Sequence, residues 1–162
     1  MNNFVPANFS VPKTLETERL RLRMLTVNDV VKDYDAVMTS VDHLKGVFGP
    51  LFPDWPAKDM TLEEDLSNLG WHQSEFQFRR SFTYTVASLD ESRILGCVYI
   101  FPTAKSGYDT EIYMWVRESE VKNGLDEYLF RTVRKWITDK WPFKKVAYPS
   151  REIDWKTWKS LK

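Results

Sequence analysis

Three strand-like segments follow one another between residues 82 and 116, and this order constrains the fold more than any other feature of the sequence. Apolar and polar residues alternate over 82–87 and again over 110–116, whereas residues 94–101 form a continuous apolar run interrupted only by Gly96. Alternation is typical of a strand with one buried face, and a continuous run is typical of a strand covered on both faces. Consecutive strands joined by short turns favour a mixed α+β sheet over a doubly wound parallel one.

Helical patterns flank these strands. Thr26 and Thr61 each stand three residues before an acid, which marks the start of a helix. Apolar residues then recur at helical spacing, as they also do from Leu125 until Pro142 ends the last long helix. The other predicted elements are an extended arm over residues 1–18, a strand over 19–24, a short strand over 144–148 and a helix around 153–158.

Length and composition exclude several classes of protein. The chain has 162 residues, which predicts a single domain over residues 1–162, and its 43% hydrophobic content is too high for a disordered protein. The formal net charge is zero, so nucleic acid and anionic membranes are not expected as partners. The longest apolar run is too short to span a membrane, and the N-terminus lacks the regions of a signal peptide, so we expect a cytoplasmic protein.

The inventory of reactive side chains excludes further chemistry. Cys97 is the only cysteine, so no intramolecular disulfide can form. His43 and His72 are the only histidines, and neither has a second His or Cys at ligand spacing, so no metal site is expected.

The segment from His43 to Met60 breaks the helical pattern with scattered glycines and prolines. It also carries Phe48, Phe52 and Trp55. An irregular segment with this much aromatic surface either packs onto the body of the protein or lines a pocket.

A strand, a polar loop and a helix start follow one another between Thr110 and Leu125. The first amides of a helix lack intrahelical acceptors and lie at the positive end of the helix dipole, so such a junction can bind an anion. Asn123 could equally be an ordinary helix cap.

Taken together, these segments resemble the GNAT superfamily of N-acetyltransferases, and the resemblance runs from Leu15 to Tyr148. Residues 15–23 (LETERLRLR) resemble the opening of the branch that contains the ribosomal-protein N-terminal acetyltransferases. Residues 94–98 (ILGCV) and 111–116 (EIYMWV) resemble the family's third and fourth strands. The resemblance implies the acyl-CoA N-acyltransferase fold, with a mostly antiparallel central sheet flanked by helices.

The resemblance also implies acetyl-CoA as the cofactor. In the family, the pantetheine arm pairs with the backbone of the fourth strand and the pyrophosphate sits in the loop that follows. In the family's loop motif only Gly124 matches, whereas Val121 replaces a basic or amide residue and Asp126 replaces a small one. The cofactor-binding residues implied in this chain are Trp115, Val116, Arg117, Lys122, Asn123, Gly124 and Leu125.

Family chemistry is direct attack of a neutral amine on the thioester, which needs a base and an acid. Glu111 is the candidate base, although it could be an ordinary strand carboxylate, and Tyr148 is the candidate acid. The candidate acceptor-binding residues are Phe48, Phe52 and Trp55. The resemblance thus implies acetyl transfer to a primary amine of a small molecule or a protein N-terminus. A GNAT-like binding or assembly module with weakened catalysis is the alternative. The segment after Tyr148 is short for the family's final hairpin, which leaves sheet surface that a homodimer could cover.

Overall fold

The computed structural model describes residues 3–162 and contains a six-stranded sheet whose strands lie in chain order. The strands are β1 (Thr14–Glu16), β2 (Arg21–Met24), β3 (Phe82–Ala87), β4 (Ile94–Phe101), β5 (Thr110–Val116) and β6 (Val146–Ala147). The helices are α1 (Val30–Met38), α2 (Val41–Leu44), α3 (Leu62–Gln77), α4 (Leu125–Lys140) and α5 (Trp155–Ser160). Pairing is antiparallel from β1 to β5 and parallel between β5 and β6, which confirms the predicted α+β sheet.

The predicted N-terminal arm contains a strand. β1 pairs with β2 through a tight turn in which the Thr17 amide donates to the Leu20 carbonyl at 2.9 Å. The preceding residues lie against β3, where the Tyr84 hydroxyl donates to the Pro12 carbonyl at 2.6 Å. The prediction of an arm without a strand was wrong because β1 is only three residues long, too short to show a period.

The middle of the sheet is fully buried. Every residue of β3, β4 and β5 is buried, so each of these strands is covered on both faces. The register between β3 and β4 shifts near Val86, and Gly96 lies at this irregularity. A side chain at Gly96 would place its Cβ 2.1 Å from the Trp115 carbonyl oxygen. β4 and β5 are therefore too close at this point for any residue other than glycine.

Two apolar clusters cover the two faces of the sheet. One contains the buried face of α4, including Leu129, Val133 and Trp136, and packs on the even-numbered residues of β5. The other contains α1, α3 and the aromatic segment around Phe48, and packs on the odd-numbered residues of β5. Within residues 3–162, no helix combines the length and apolar character needed to cross a membrane.

α1 and α3 meet through two buried carboxyl groups. Asp33 on α1 is 4% exposed and Asp65 on α3 is 2% exposed, and the two carboxyl groups are neighbours in the contact between these helices. Burial, and next the charge of Asp65, hold the pKa of Asp33 well above its ordinary value. The folded chain therefore binds a proton at this pair more tightly than the unfolded chain does.

Replacing Asp33 with Asn is expected to stabilise the protein as the pH rises. A raised carboxyl pKa contributes stability that is complete at low pH and declines as the pH increases above about 4, because the unfolded chain has by then lost its proton. Asn has nearly the same shape, does not titrate and can donate a hydrogen bond to Asp65, so we expect a gain of about 1–2 kcal/mol at pH 7 and little at pH 4. Chemical denaturation across this range measures it, with exposed Asp54→Asn as the control. A difference that is constant with pH would contradict the raised pKa of Asp33.

Candidate functional site

β6 pairs with β5 over only two residues, so the second half of β5 has no strand on this side, and we call this unpaired edge of β5 the gap. The parallel pairing covers Thr110 and Glu111. The Arg117 amide donates to the Leu95 carbonyl, so the odd-numbered residues of this segment bond to β4 and the even-numbered ones point their amides and carbonyls toward the gap.

Two of the backbone carbonyls that face the gap are in contact with side chains from elsewhere in the protein. Arg151 Nη2 donates to the Met114 carbonyl at 3.0 Å, and His43 Nε2 lies 3.1 Å from the Val116 carbonyl. Arg151 also forms a bidentate ion pair with Asp126, with both N–O distances at 2.9 Å. The carboxylate that the family motif does not expect in the first turn of α4 is therefore paired with a guanidinium. Sequence reasoning missed Arg151 because no spacing rule connects a residue in the tail with a helix 25 positions earlier.

The loop between β5 and α4 is a 3-10 helix over Glu118–Asn123, followed by Gly124 in the left-handed conformation (φ 70°). Lys122 is exposed. The Asn123 carbonyl accepts a hydrogen bond from Arg19 at 3.0 Å, and its side chain donates to Glu120 rather than capping α4. The Arg19 guanidinium also stacks over the Tyr128 ring, so a positive charge from the turn between β1 and β2 lies beside this loop.

Two of the predicted cofactor residues point away from the gap and into the protein. Arg117 is 7% exposed, donates to the Ile94 carbonyl at 3.1 Å and forms an ion pair with Asp35 of α1 at 2.9 Å. Trp115 is buried, and its indole donates to the Tyr99 hydroxyl at 2.9 Å. Their side chains are therefore engaged inside the protein, and their backbones bond to β4, so of these predicted strand residues only Val116 turns its backbone toward the gap.

Glu111 stands where β5 and β6 begin to separate. It is 9% exposed and lines a cavity of about 210 Å³, together with Phe52, Trp71 and Arg80 among others. The Tyr113 hydroxyl donates to Oε1 of Glu111 at 3.1 Å. Within residues 3–162, this is the one hydrogen bond of the Glu111 carboxylate, so Oε2 is left for a ligand or water.

The structure brings the three predicted acceptor residues together in a neighbouring cavity. Phe48, Phe52 and Trp55 line a space of about 200 Å³ that shares Phe52 and Trp71 with the Glu111 cavity. Phe48 is the central ring, with edge-to-face contacts to Trp55 at 5.2 Å and to Tyr113 at 5.5 Å between ring centroids. The aromatic segment thus both packs onto the body and lines a pocket.

His72 also lines the aromatic cavity, and sequence reasoning missed it. Its Nδ1 lies 2.9 Å from the Thr83 hydroxyl, and its ring contacts Trp71 and Tyr99. Burial lowers the pKa of His72 to about 4, so the imidazole is neutral at physiological pH. The sequence offered no signal for this role, because only the structure shows that Asn68, one helical turn earlier, lines the same cavity.

Tyr148 is not brought together with Glu111. It is buried in the apolar cluster on the α4 side of the sheet, where its ring meets Phe130 edge to face at 5.3 Å. Glu111 contacts Tyr113, which belongs to the cluster on the opposite side. Burial raises the pKa of Tyr148 above its ordinary value, which makes its proton harder to release.

Comparison with known proteins identifies the fold. No protein-family model matches the chain, and no curated protein sequence matches it. Solved structures do match. A provisionally assigned ribosomal-protein-serine acetyltransferase from Vibrio cholerae aligns over 82% of this chain and 71% of its own, with 12% identity and a TM-score of 0.64. The ribosomal-protein-S5-alanine acetyltransferase from Vibrio fischeri aligns over 78% and 67%, with 16% identity and a TM-score of 0.59.

A third match is the microcin C7 self-immunity acetyltransferase, in complex with acetyl-CoA and AMP. It aligns over 80% of this chain and 68% of its own, with 11% identity and a TM-score of 0.56. At such identities the likeness shows the fold: the chain has the fold of GNAT-family N-acetyltransferases, as the sequence resemblance implied. Among residues 3–162, no three His, Cys, Asp or Glu side chains lie close enough together to hold a metal ion.

Proposed function

We propose that this protein transfers an acetyl group from acetyl-CoA to a primary amine. The observation that carries the proposal is the position of Glu111. Its carboxylate lies where β5 and β6 separate, beside a cavity that opens toward the aromatic segment. The fold likeness supports the same reaction, because the matched structures include acetyltransferases, one of them in complex with acetyl-CoA.

We propose that acetyl-CoA binds along the gap beside β5 after the side chains of Arg151 and His43 leave the two carbonyls that they contact. The backbones of Met114 and Val116 face it, and Gly124 and exposed Lys122 lie in the loop at its end. Arg151 now holds the Met114 carbonyl, and the ligand would displace it. Acetyl-CoA supplies the thioester carbonyl that the amine attacks. A guanidinium released from Met114 would remain close enough to offset the charge of Asp126.

Glu111 can perform the proton transfer that this reaction needs. The amine must lose a proton as its nitrogen attacks, and Oε2 of Glu111 is the acceptor, directly or through one water. The Tyr113 hydroxyl fixes the carboxylate through Oε1, which keeps Oε2 directed at the cavity. The aromatic walls exclude water from the attacking amine. The departing thiolate needs a proton, and the role of Tyr148 as its donor stays a prediction.

Replacing Asp126 with Gly is expected to tighten acetyl-CoA binding about five- to tenfold. The substitution removes a carboxylate close to the cofactor's phosphates and releases Arg151 to interact with them. Calorimetric titration at low and physiological salt measures the change. Glu127→Gln is the matched control, since it removes an exposed charge from the same turn without releasing Arg151.

The same titration tests the proposed function. Micromolar binding by the unmodified protein, together with amine-dependent release of free thiol, would support it. A folded protein that shows no binding up to millimolar acetyl-CoA would overturn it and favour a binding module with this fold. Unchanged or weaker binding by Asp126→Gly would contradict the role given to the Asp126–Arg151 pair.

A further inference from the structure

We infer that the two adjacent cavities, which share Phe52 and Trp71 as wall residues, bind an arylalkylammonium ion, with its ring among the aromatic side chains and its ammonium beside Glu111 and Ser81. This inference names the acceptor class of the proposed acetyltransferase and rests on that function for its biological meaning. The binding itself follows from the shape, polarity and charge of the two cavities.

The first cavity selects an aromatic or similarly flat apolar group. Its walls are five aromatic rings, and its polar lining consists of the Asn68 amide and the neutral His72 imidazole. Its volume is about 200 Å³. A cavity of roughly 150 Å³ lined by apolar side chains is enough to hold benzene, so one ring fits here. A charged group would lose its hydration in this space without an ionic partner.

The second cavity selects a cation. Two carboxylates, Glu75 and Glu111, and one guanidinium, Arg80, line it. Arg80 is committed to Glu75 in an ion pair, so Glu111 contributes the uncompensated negative charge. The half-exposed Trp71 ring adjoins both cavities, and the electron-rich face of an indole also favours a cation.

An unpartnered hydroxyl on the same wall points to a ligand. Ser81 is 3% exposed and lines the cavity that contains Glu111. Its Oγ makes no hydrogen bond with any residue of the described range 3–162. Buried hydroxyl groups are nearly always hydrogen-bonded, and an ammonium group offers three donors. One donor would bind the Glu111 carboxylate, and another would bind the Ser81 hydroxyl once that side chain rotates from its buried position toward the cavity.

Simple probes separate ring recognition from charge recognition. We would titrate the protein, without acetyl-CoA, with 2-phenylethylamine, with its neutral analogue 2-phenylethanol and with ethylamine. At neutral pH a primary alkylamine is almost fully protonated. We expect 2-phenylethylamine to bind at least about tenfold more tightly than either of the other probes, because only it fills both cavities. Equal binding of the amine and the alcohol, or no binding of any probe, would overturn the inference.

Two conservative variants assign the effect to the named groups. Glu111→Gln should weaken 2-phenylethylamine about tenfold and leave 2-phenylethanol unchanged, whereas Ser81→Ala should weaken the amine a few-fold. Glu63→Gln, an exposed acid on α3, is the control and should change neither. A loss of amine affinity equal in the control and in Glu111→Gln would contradict the assignment.

Failure of this inference and failure of the proposed function give different results. In one case, 2-phenylethylamine binds and the variants have the expected effects, but no thiol is released in the presence of acetyl-CoA. That result would support the binding site and contradict the proposed acetyltransferase activity. Acetylation of other amines by a protein that does not bind 2-phenylethylamine would do the reverse.

Discussion

Replacing Glu111 with Gln is expected to lower kcat for amine acetylation by about two to four orders of magnitude, the usual contribution of a general base. The amide accepts the Tyr113 hydroxyl bond through its oxygen, so the side chain keeps its place but cannot take up a proton. The affinity for acetyl-CoA should change less than about twofold, since the gap in which we propose that it binds lies further along β5. Steady-state rates of thiol release with a saturating amine, and calorimetry with acetyl-CoA, measure the two effects.

The control for this experiment is Glu63→Gln, which also removes one acidic charge but does so at an exposed position on α3. Its turnover should equal that of the unmodified protein. Equal turnover in Glu111→Gln as well would remove Glu111 from the mechanism and return it to the role of a strand carboxylate. A parallel loss of acetyl-CoA binding would instead indicate that the substitution disturbs the groove.

Replacing Gly96 with Ala is expected to cost about 3–4 kcal/mol of unfolding free energy, the largest stability change we expect from a single methyl group. The added Cβ would lie 2.1 Å from the Trp115 carbonyl oxygen and 3.1 Å from Val116 Cα, and both of these are backbone atoms that cannot rotate away. Relief requires β4 and β5 to separate in the middle of the sheet, which breaks ladder hydrogen bonds. Urea denaturation followed by circular dichroism measures the loss.

Gly70→Ala is the matched comparison, because it adds the same methyl group to a helix. Its Cβ would meet Val27 at 3.8 Å, an ordinary contact, and the substitution should stabilise α3 by roughly 0.5–1 kcal/mol. The two variants should therefore differ in sign. A Gly96→Ala protein as stable as the parent would show that β4 and β5 can move apart at little cost.

Periodicity predicted the long elements because their buried faces repeat along the chain. β4, β5, α3 and α4 lie where the sequence placed them, and the burial of β4 on both faces is confirmed. Single positions were less predictable. Val31 is 68% exposed although it belongs to the apolar stripe of α1, and Asp33 is buried in its place. The burial of this carboxyl group depends on its neighbour Asp65 on another helix. A hydrophobic pattern within α1 contains no information about that neighbour.

The residues of the candidate site likewise fall into those that the sequence could predict and those that it could not. The aromatic segment and Glu111 were predictable because their residue types and strand position are visible in the sequence. Arg151, His43 and Ser81 were not, since each acts on a backbone or cavity formed by distant residues. The family resemblance implied Arg117 as a cofactor residue, yet the partners of its side chain, Ile94 and Asp35, come from another strand and another helix. The expected cytoplasmic location and homodimer stay predictions from the sequence.

The agreement between strand order and chain order has a consequence for how the binding surface is assembled. β3, β4 and β5 are joined by short turns, so their pairing costs little loop-closure entropy and is expected to form early. β2 and β3 are also neighbours, but residues 25–81 lie between them. Glu111 belongs to the strands that are expected to pair early. The cavity walls, in contrast, take four aromatic residues from the long segment 25–81: Phe48, Phe52, Trp55 and Trp71. We therefore expect the strand that carries Glu111 to pair before the aromatic walls form, so that the cavities are complete only after residues 25–81 have folded.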